Sequence, residues 1–161
     1  MRFLWIFTLA AVTSVVNAQQ LAEKTFTSAA DMTAMIAKAK NERKGDQANY
    51  IQTLLMASPY KVNLEYRVHG IDTTPSVHER EAELVYVVEG GGTLTTGGKL
   101  RDEKRLNPTN LTGSAIEGGS SRPITKGDSF LIPENTPHGF SDTVGTLVTM
   151  SIHLPRGGVT K

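Results

Sequence analysis

The stretch VHEREAELVYVVEGGG, residues 77–92, places a histidine and three glutamates directly before an apolar run that ends in three glycines. Side chains alternate between the two faces of a strand, so Glu83 shares a face with Val85 and Val87. If those valines point into a core, Glu83 points inward too, where a carboxylate is costly unless a cation or a metal pairs with it. The other interpretation is a rim glutamate bonded to Arg80 or to water.

A second stretch, GDSFLIPENTPHGFSD at residues 127–142, contains a short apolar strand, a turn bounded by prolines and a histidine. Pro133 and Pro137 restrict the backbone immediately before His138, which suits a residue that must be held in place as a ligand. Taken by itself, the same histidine could equally be a packed residue with one satisfied ring nitrogen.

Together the two stretches resemble the paired motifs of the cupin superfamily. The first motif is Gly, five residues, His-x-His, three or four residues, Glu, six residues, Gly. Here it runs from Gly70 through His78 and Glu83 to Gly90 with every spacing kept, and Ser76 stands at the first histidine.

The second motif is Gly, five residues, Pro-x-Gly, two residues, His, three residues, Asn. It begins here at Gly127 and contains Pro133 and His138 at the same spacings. Asn135 replaces the glycine, and asparagine tolerates the same left-handed turn conformation. Asp142 replaces the final asparagine.

The resemblance implies an all-β fold, a double-stranded β-helix or jelly-roll barrel with a metal site in its mouth, here preceded by an N-terminal helix. It carries the ligand roles to His78, Glu83 and His138, and the fourth ligand position falls on Ser76. The implied cofactor is a divalent transition metal (Fe, Mn, Ni or Zn). A neutral hydroxyl is a far poorer ligand for such an ion than an imidazole.

Three outcomes for the fourth position follow. Two histidines and one glutamate could hold the metal and leave positions open, as in oxygen-activating iron enzymes. A histidine from another strand, His153 or His69, could restore the missing ligand. The site could also bind metal weakly or not at all and hold a polar ligand instead.

The chain is expected to comprise three parts. Residues 1–18, with Arg2 before an apolar run, read as a secretory signal peptide, which predicts export to the periplasm or beyond. Residues 19–45 would form a helical extension and 46–161 the barrel domain. The helix is predicted at about 28–44, after a capping box and with Gly45 as its C-terminal cap.

Short β segments separated by turn residues follow. The predicted strands are a half-buried one at 60–68, one covered on both sides at 84–88, and others at 93–96, 129–132 and 146–154. The glycines at 90–92 are read as a tight corner. Residues 99–112 are read as an exposed loop, which includes the sequon Asn110-Leu111-Thr112.

The composition of the chain excludes several kinds of partner and binding site. The 161 residues carry a formal charge of +1 and no cysteine. Nucleic acid is therefore an unexpected partner, disulfides are excluded, and any site must use histidine, carboxylate or hydroxyl groups. Arg67, Arg80 and Glu81 are read as solvated surface charges that could otherwise orient a substrate. Phe140 could line the pocket, and no second acid–base pair is evident.

These features favour an exported metal-dependent enzyme, dioxygenase-like or using Lewis-acid chemistry, that acts on a small polar molecule. A non-catalytic protein that binds a carbohydrate or an organic acid is the alternative. A structural barrel with vestigial metal residues is a third interpretation. A homodimer is expected from the resemblance, and no membrane association is expected once the leader is removed.

Overall fold

The computed structural model describes residues 23–157, so the predicted signal peptide lies outside the described residues. This part of the chain folds as one helix followed by eleven strands: α1 (Ala29–Glu42), β1 (Tyr50–Ala57), β2 (Tyr60–Val68), β3 (Ser76–His78), β4 (Glu81–Thr96), β5 (Lys99–Arg101), β6 (Lys104–Asn107), β7 (Asn110–Thr112), β8 (Ala115–Glu117), β9 (Ser120–Thr125), β10 (Ser129–Ile132) and β11 (His138–Pro155). Within these residues no helix combines the length and hydropathy of a membrane-spanning segment.

Helix α1 begins at the predicted capping box. The Ser28 hydroxyl accepts from the Asp31 N–H, and the Asp31 carboxylate accepts from the Ser28 N–H. The prediction for Gly45 was wrong, since this glycine does not adopt the positive φ of a C-terminal cap. Arg43 leaves the helical conformation instead (φ −58°, ψ 128°), and its guanidinium donates to the Gln47 carbonyl at 2.7 Å.

Two long bent strands, β4 and β11, pair with each other in antiparallel fashion over most of their length and form the frame of the barrel. β4 pairs with β10 before its bend and with β9 after it. The glycines at 90–92 lie inside strand β4, so they do not form the predicted turn between strands. Gly90 has φ +76°, and a Cβ there would lie 1.7 Å from the Thr146 carbonyl oxygen, so only glycine fits.

Strand β2 has the predicted bounds but is buried on both faces, not on one. Leu64 and Tyr66 pack beneath α1. Asn63, Glu65 and Arg67 point to the other side and line a cavity inside the barrel. The polar face that the sequence assigned to solvent therefore belongs to the interior.

Two further expectations were corrected. In the 84–88 stretch Val85 and Val87 are buried on one face, whereas on the other face Leu84 and Val88 are half-buried and Tyr86 is 41% exposed, so the second face is only partly covered. The predicted loop at 99–112 instead contains three short strands, of which β7 pairs with β3 and so supports the strand that carries His78.

The apolar core has two parts. One lies inside the barrel and the other between the sheet and α1, where Ala39 is fully buried. The inner cluster consists of Val85, Val87, Leu94, Ile124, Ile132, Phe140 and Leu147. Phe140 of this cluster also lines a cavity whose other lining residues include several polar side chains.

Candidate metal centre

A cavity of about 650 Å3 occupies the polar end of the barrel. Ser76, His78, Glu83 and His138 all line it, together with His153. Three strands meet here: β3 supplies the first two residues, β4 the glutamate and β11 the two histidines at its opposite ends. The structure thus brings together all four positions singled out in the sequence.

The ligand-capable atoms of His78, Glu83 and His138 lie within 4.8 Å of one another. His138 Nε2 is 3.2 Å from Glu83 Oε2, and His78 Nε2 is 3.6 Å from the same oxygen. The two imidazole rings are 5.2 Å apart between centroids. The three side chains therefore face one point inside the barrel opening.

Each of these histidines is oriented through its other ring nitrogen. The Thr136 carbonyl oxygen is 3.0 Å from His138 Nδ1 and can only accept, so Nδ1 carries the proton and donates. His78 Nδ1 donates to Asn110 Oδ1 at 2.9 Å. In the neutral imidazoles both Nε2 atoms consequently offer a lone pair toward Glu83, as metal-binding histidines do.

The turn before His138 is built as its sequence suggested. Asn135, in place of glycine, adopts φ +57°. Its N–H donates to the His78 carbonyl oxygen at 2.9 Å, which ties the two motifs together. The sequon asparagine Asn110 is half-buried and occupied by His78, so a glycan there would require that contact to break.

Glu83 is only 4% exposed. Its Oε1 accepts a short hydrogen bond from Ser151, whereas its Oε2 has no hydrogen-bonding partner among the described residues. Burial alone would raise the pKa of this carboxyl, but the imidazoles of His138 and His78, when they are protonated, and the Ser151 hydroxyl hold it well below its usual range. Glu83 is thus a buried carboxylate with one oxygen directed at the two histidines, and the rim interpretation with Arg80 was wrong.

The Glu83 carboxylate also affects the pKa of His78. Burial lowers the pKa of its imidazole, but Glu83, Asn110 and Glu81 outweigh that effect and raise the pKa above its ordinary value. A proton on His78 Nε2 would therefore exclude a metal ion from the same nitrogen.

The fourth ligand position, which falls on Ser76, has no imidazole. The Ser76 hydroxyl lies 3.4 Å from His138 Nε2, at the edge of the group formed by His78, Glu83 and His138, here called the trio. His153 lies beside the trio, with its ring centroid 5.2 Å from that of His78, and its Nδ1 donates to Glu81 at 3.1 Å. His69 bonds the Thr143 carbonyl and is not among the residues that line the cavity, so of the two histidines only His153 lies near the site.

Two features of the cavity were not predicted from the sequence. Arg67 is only 3% exposed, ion-paired to Glu65 inside the barrel and placed 4.2 Å above the Phe140 ring, so reading it as surface charge was wrong. Glu81 and His153 form the imidazole–carboxylate pair that the sequence did not reveal. Phe140 lines the cavity, as the sequence suggested. The only sequence signal for the interior position of Arg67 is its alternation with Asn63 and Glu65, which places the three side chains on one face of β2.

Comparison with solved structures identifies the barrel. No protein-family model and no curated protein sequence matches this chain. A double-stranded β-helix domain protein from Klebsiella pneumoniae superposes with a TM-score of 0.53 at 14% identity, covering 70% of this chain and 82% of that one. The Schizosaccharomyces pombe Cnp3 cupin domain superposes with a TM-score of 0.51 at 8% identity, covering 72% and 71%.

The chain has the cupin fold. The double-stranded β-helix expected from the two motifs is thereby confirmed. HppE in its iron(II) form is a further cupin-type neighbour, with a TM-score of 0.52 at 14% identity, covering 67% of this chain and 52% of that one. At such identities the likeness establishes the fold of this cupin barrel and leaves its ligand and reaction to the site itself.

Proposed function

We propose that this cupin barrel binds one divalent transition-metal ion through His78 Nε2, His138 Nε2 and Glu83 Oε2, and that the centre acts as an enzyme on a small polar molecule. The observation that carries the proposal is the meeting of two oriented imidazole nitrogens and an unpartnered buried carboxylate oxygen in one cavity.

The donor set fits such an ion. Two ligands bonded to one metal at about 2.1 Å lie about 3.0–3.4 Å apart at common coordination angles. The separation of 3.2 Å between His138 Nε2 and Glu83 Oε2 falls in that range, and His78 Nε2, at 3.6 Å, is close to it. Imidazole and carboxylate ligands suit Fe, Mn, Ni or Zn. HppE, whose structure is of an iron(II) form, is one protein of this fold that holds such an ion.

The ion, when bound, would supply Lewis-acid polarisation of a coordinated oxygen or, if it is iron, redox chemistry with dioxygen. The protein supplies the rest. Asn110 and Thr136 fix the two imidazoles, and Ser151 fixes the carboxylate. Because Ser76 is a short neutral side chain, it leaves room beside His138 for a substrate to approach the ion.

Binding without turnover is the second candidate. The extended polar wall of the cavity favours it, since Asn63, Glu65 and Arg67 reach beyond the trio and could hold a carbohydrate or an organic acid without any reaction.

Oxygen uptake and substrate loss separate the two candidates. Metal-free protein would be loaded with Fe, Mn, Ni or Zn in turn and assayed with panels of small acids, sugars and phenols. Metal-dependent consumption of one compound supports the enzyme. Tight binding of a compound that is recovered unchanged under every metal supports the binding protein and contradicts catalysis.

Ser76→His tests the open position. An added imidazole beside His138 should raise metal affinity about tenfold or more and lower the affinity for any metal-chelating ligand by a similar factor. Isothermal titration with metal, and then with the ligand, measures both. Ser76→Ala is the control and should keep the natural metal affinity; a large loss in that variant would make Ser76 itself a ligand.

The metal should stabilise the protein more at high pH than at low pH. In the metal-free protein the pKa of His78 is raised because its protonated imidazole is attracted to Glu83. The stability that this attraction contributes is fully present below the unfolded pKa of about 6.5. It is lost as pH rises through the folded pKa. The metal binds only the neutral imidazole, so the stability that the metal adds increases as pH rises. We expect the rise in Tm on adding Mn2+ to be larger at pH 8 than at pH 6; an equal or smaller rise at pH 8 would contradict this.

Export and self-association complete the proposal. The apolar leader at residues 1–18 supports export to the periplasm or beyond, and N-terminal sequencing of the protein from the producing cells would locate the cut. The expected homodimer rests on the cupin resemblance, and light scattering would measure it directly.

A further inference from the structure

The cavity wall holds more unpaired polar atoms than the metal trio explains. Among residues 23–157, four buried side-chain atoms lack a hydrogen-bonding partner, and all four belong to residues that line this cavity. They are Glu83 Oε2, Arg67 Nε, Asn63 Oδ1 and Asn49 Oδ1. Folded proteins leave few buried polar atoms unpaired. Their collection around one cavity indicates that a ligand supplies the missing bonds.

Three of the four atoms lie outside the trio and define what the ligand must offer. Arg67 Nε is a donor and needs an oxygen acceptor. Asn49 Nδ2 already donates to Glu65 at 2.8 Å, so its Oδ1 needs a donor, and Asn63 Oδ1 is likewise an acceptor without a partner. A half-turn of the Asn63 amide about its terminal bond exchanges the positions of its oxygen and its nitrogen. A hydroxyl group pairs with an amide in either orientation because it both donates and accepts. These three positions are therefore suited to ligand hydroxyls.

The charge balance of the cavity adds a second requirement. Arg67 and Glu65 neutralise each other inside the barrel. The charge step rests on the proposed function: Lys61 and Glu81, which both line the cavity, offset each other, and a divalent ion held by Glu83 then leaves one excess positive charge. A cavity with this balance favours an anionic ligand.

We infer that the ligand of this cavity is a small organic acid that also carries several hydroxyl groups. Its carboxylate lies toward the metal position and Lys61, and its hydroxyls bond to Asn63, to Asn49 and to Arg67 Nε. The cavity, at about 650 Å3, has the size usual for small-molecule sites.

The test compares three kinds of probe by calorimetry, with metal-loaded and with metal-stripped protein. D-gluconate, D-galactonate and D-glucuronate carry both the charge and the hydroxyls; sorbitol carries hydroxyls alone, and hexanoate carries charge alone. At least one sugar acid should bind about tenfold or more tightly than sorbitol and hexanoate. Asn63→Leu should weaken that acid by about tenfold or more, since it removes the amide at nearly constant size.

Two further variants keep the result interpretable. Asn63→Ala repeats the test if the leucine variant does not fold, and Asn41→Leu, on the exposed helix surface, should leave binding unchanged. Sorbitol or hexanoate binding as well as the best acid would overturn the inference, as would the absence of binding by all three acids at about 10 mM. So would binding that Asn63 variants do not affect.

The same data separate this inference from the metal proposal. An acid that binds the metal-stripped protein in an Asn63-dependent way, while no metal binds, would leave the inference standing and remove the metal-centred function. Stoichiometric metal without acid binding would do the reverse.

Discussion

Glu83→Gln is expected to lower the affinity of the cavity for a divalent metal ion by at least about 100-fold. Glutamine keeps the size of the side chain but replaces the anionic oxygen that faces His78 and His138 with a neutral amide. Burial of the position prevents a solvent-exposed carboxylate from taking its place. Competition against a fluorescent chelator measures the affinity of both proteins.

The matched control is Glu89→Gln, an exposed glutamate on the same strand. It should leave metal affinity unchanged, because its side chain lies outside the cavity. A Glu83→Gln protein that is folded and binds metal within about threefold of the natural affinity would remove Glu83 from the ligand set.

Arg67→Met should have the largest effect on stability. It leaves Glu65 as a buried carboxylate without its cation, which costs about 3–5 kcal/mol. For a chain of this size that corresponds to a fall in Tm of roughly 10 °C. The pair is shielded from solvent on both sides, with side-chain exposures of 4% and 8%, so screening offers little relief.

Two further variants test whether the loss of stability in Arg67→Met comes from a buried charge without a partner. Arg105→Met breaks an ion pair with Glu79 whose arginine is 52% exposed, and should cost about 1 kcal/mol or less. The double change Arg67→Met with Glu65→Met should recover most of the loss, because it removes both buried charges. Equal thermal shifts for Arg67→Met and Arg105→Met would contradict the interior position of the Arg67 pair.

The motif spacing predicted that His78, Glu83 and His138 would lie together because it constrains geometry directly. Glu83 shares the parity of two buried valines, and the proline-bounded turn fixes the backbone before His138. These are local relations, readable along the chain. The bounds of β10 were likewise predictable, since an apolar run lies between Asp128 and Pro133.

The polar wall could not be predicted by the same means. Alternation along β2 shows that Asn63, Glu65 and Arg67 share one face, but a period of two residues does not distinguish a face toward solvent from a face toward a polar cavity. Only the closure of the barrel decides that. The ion pair of Arg67 with Glu65 is what makes such burial tolerable.

Long-range pairing accounts for the remaining differences. Residues 110–112 carry no strong strand signal of their own and become a strand because they pair with β3. Glu81 and His153 are distant in the chain and meet because β4 and β11 pair in antiparallel register. The glycines at 90–92 resemble a turn in isolation, whereas Gly90 is required by the close approach of the Thr146 carbonyl.

Metal content tests the central claim most directly. The protein would be purified without chelator, reconstituted with Fe, Mn, Ni or Zn, and analysed by mass spectrometry alongside His78→Ala, Glu83→Ala, His138→Ala and the control His69→Ala. The account predicts about one ion per chain in the natural protein and in the His69 variant, and nearly none in the other three. A natural protein that binds none of these metals, or three cavity variants that keep a full complement, would contradict it.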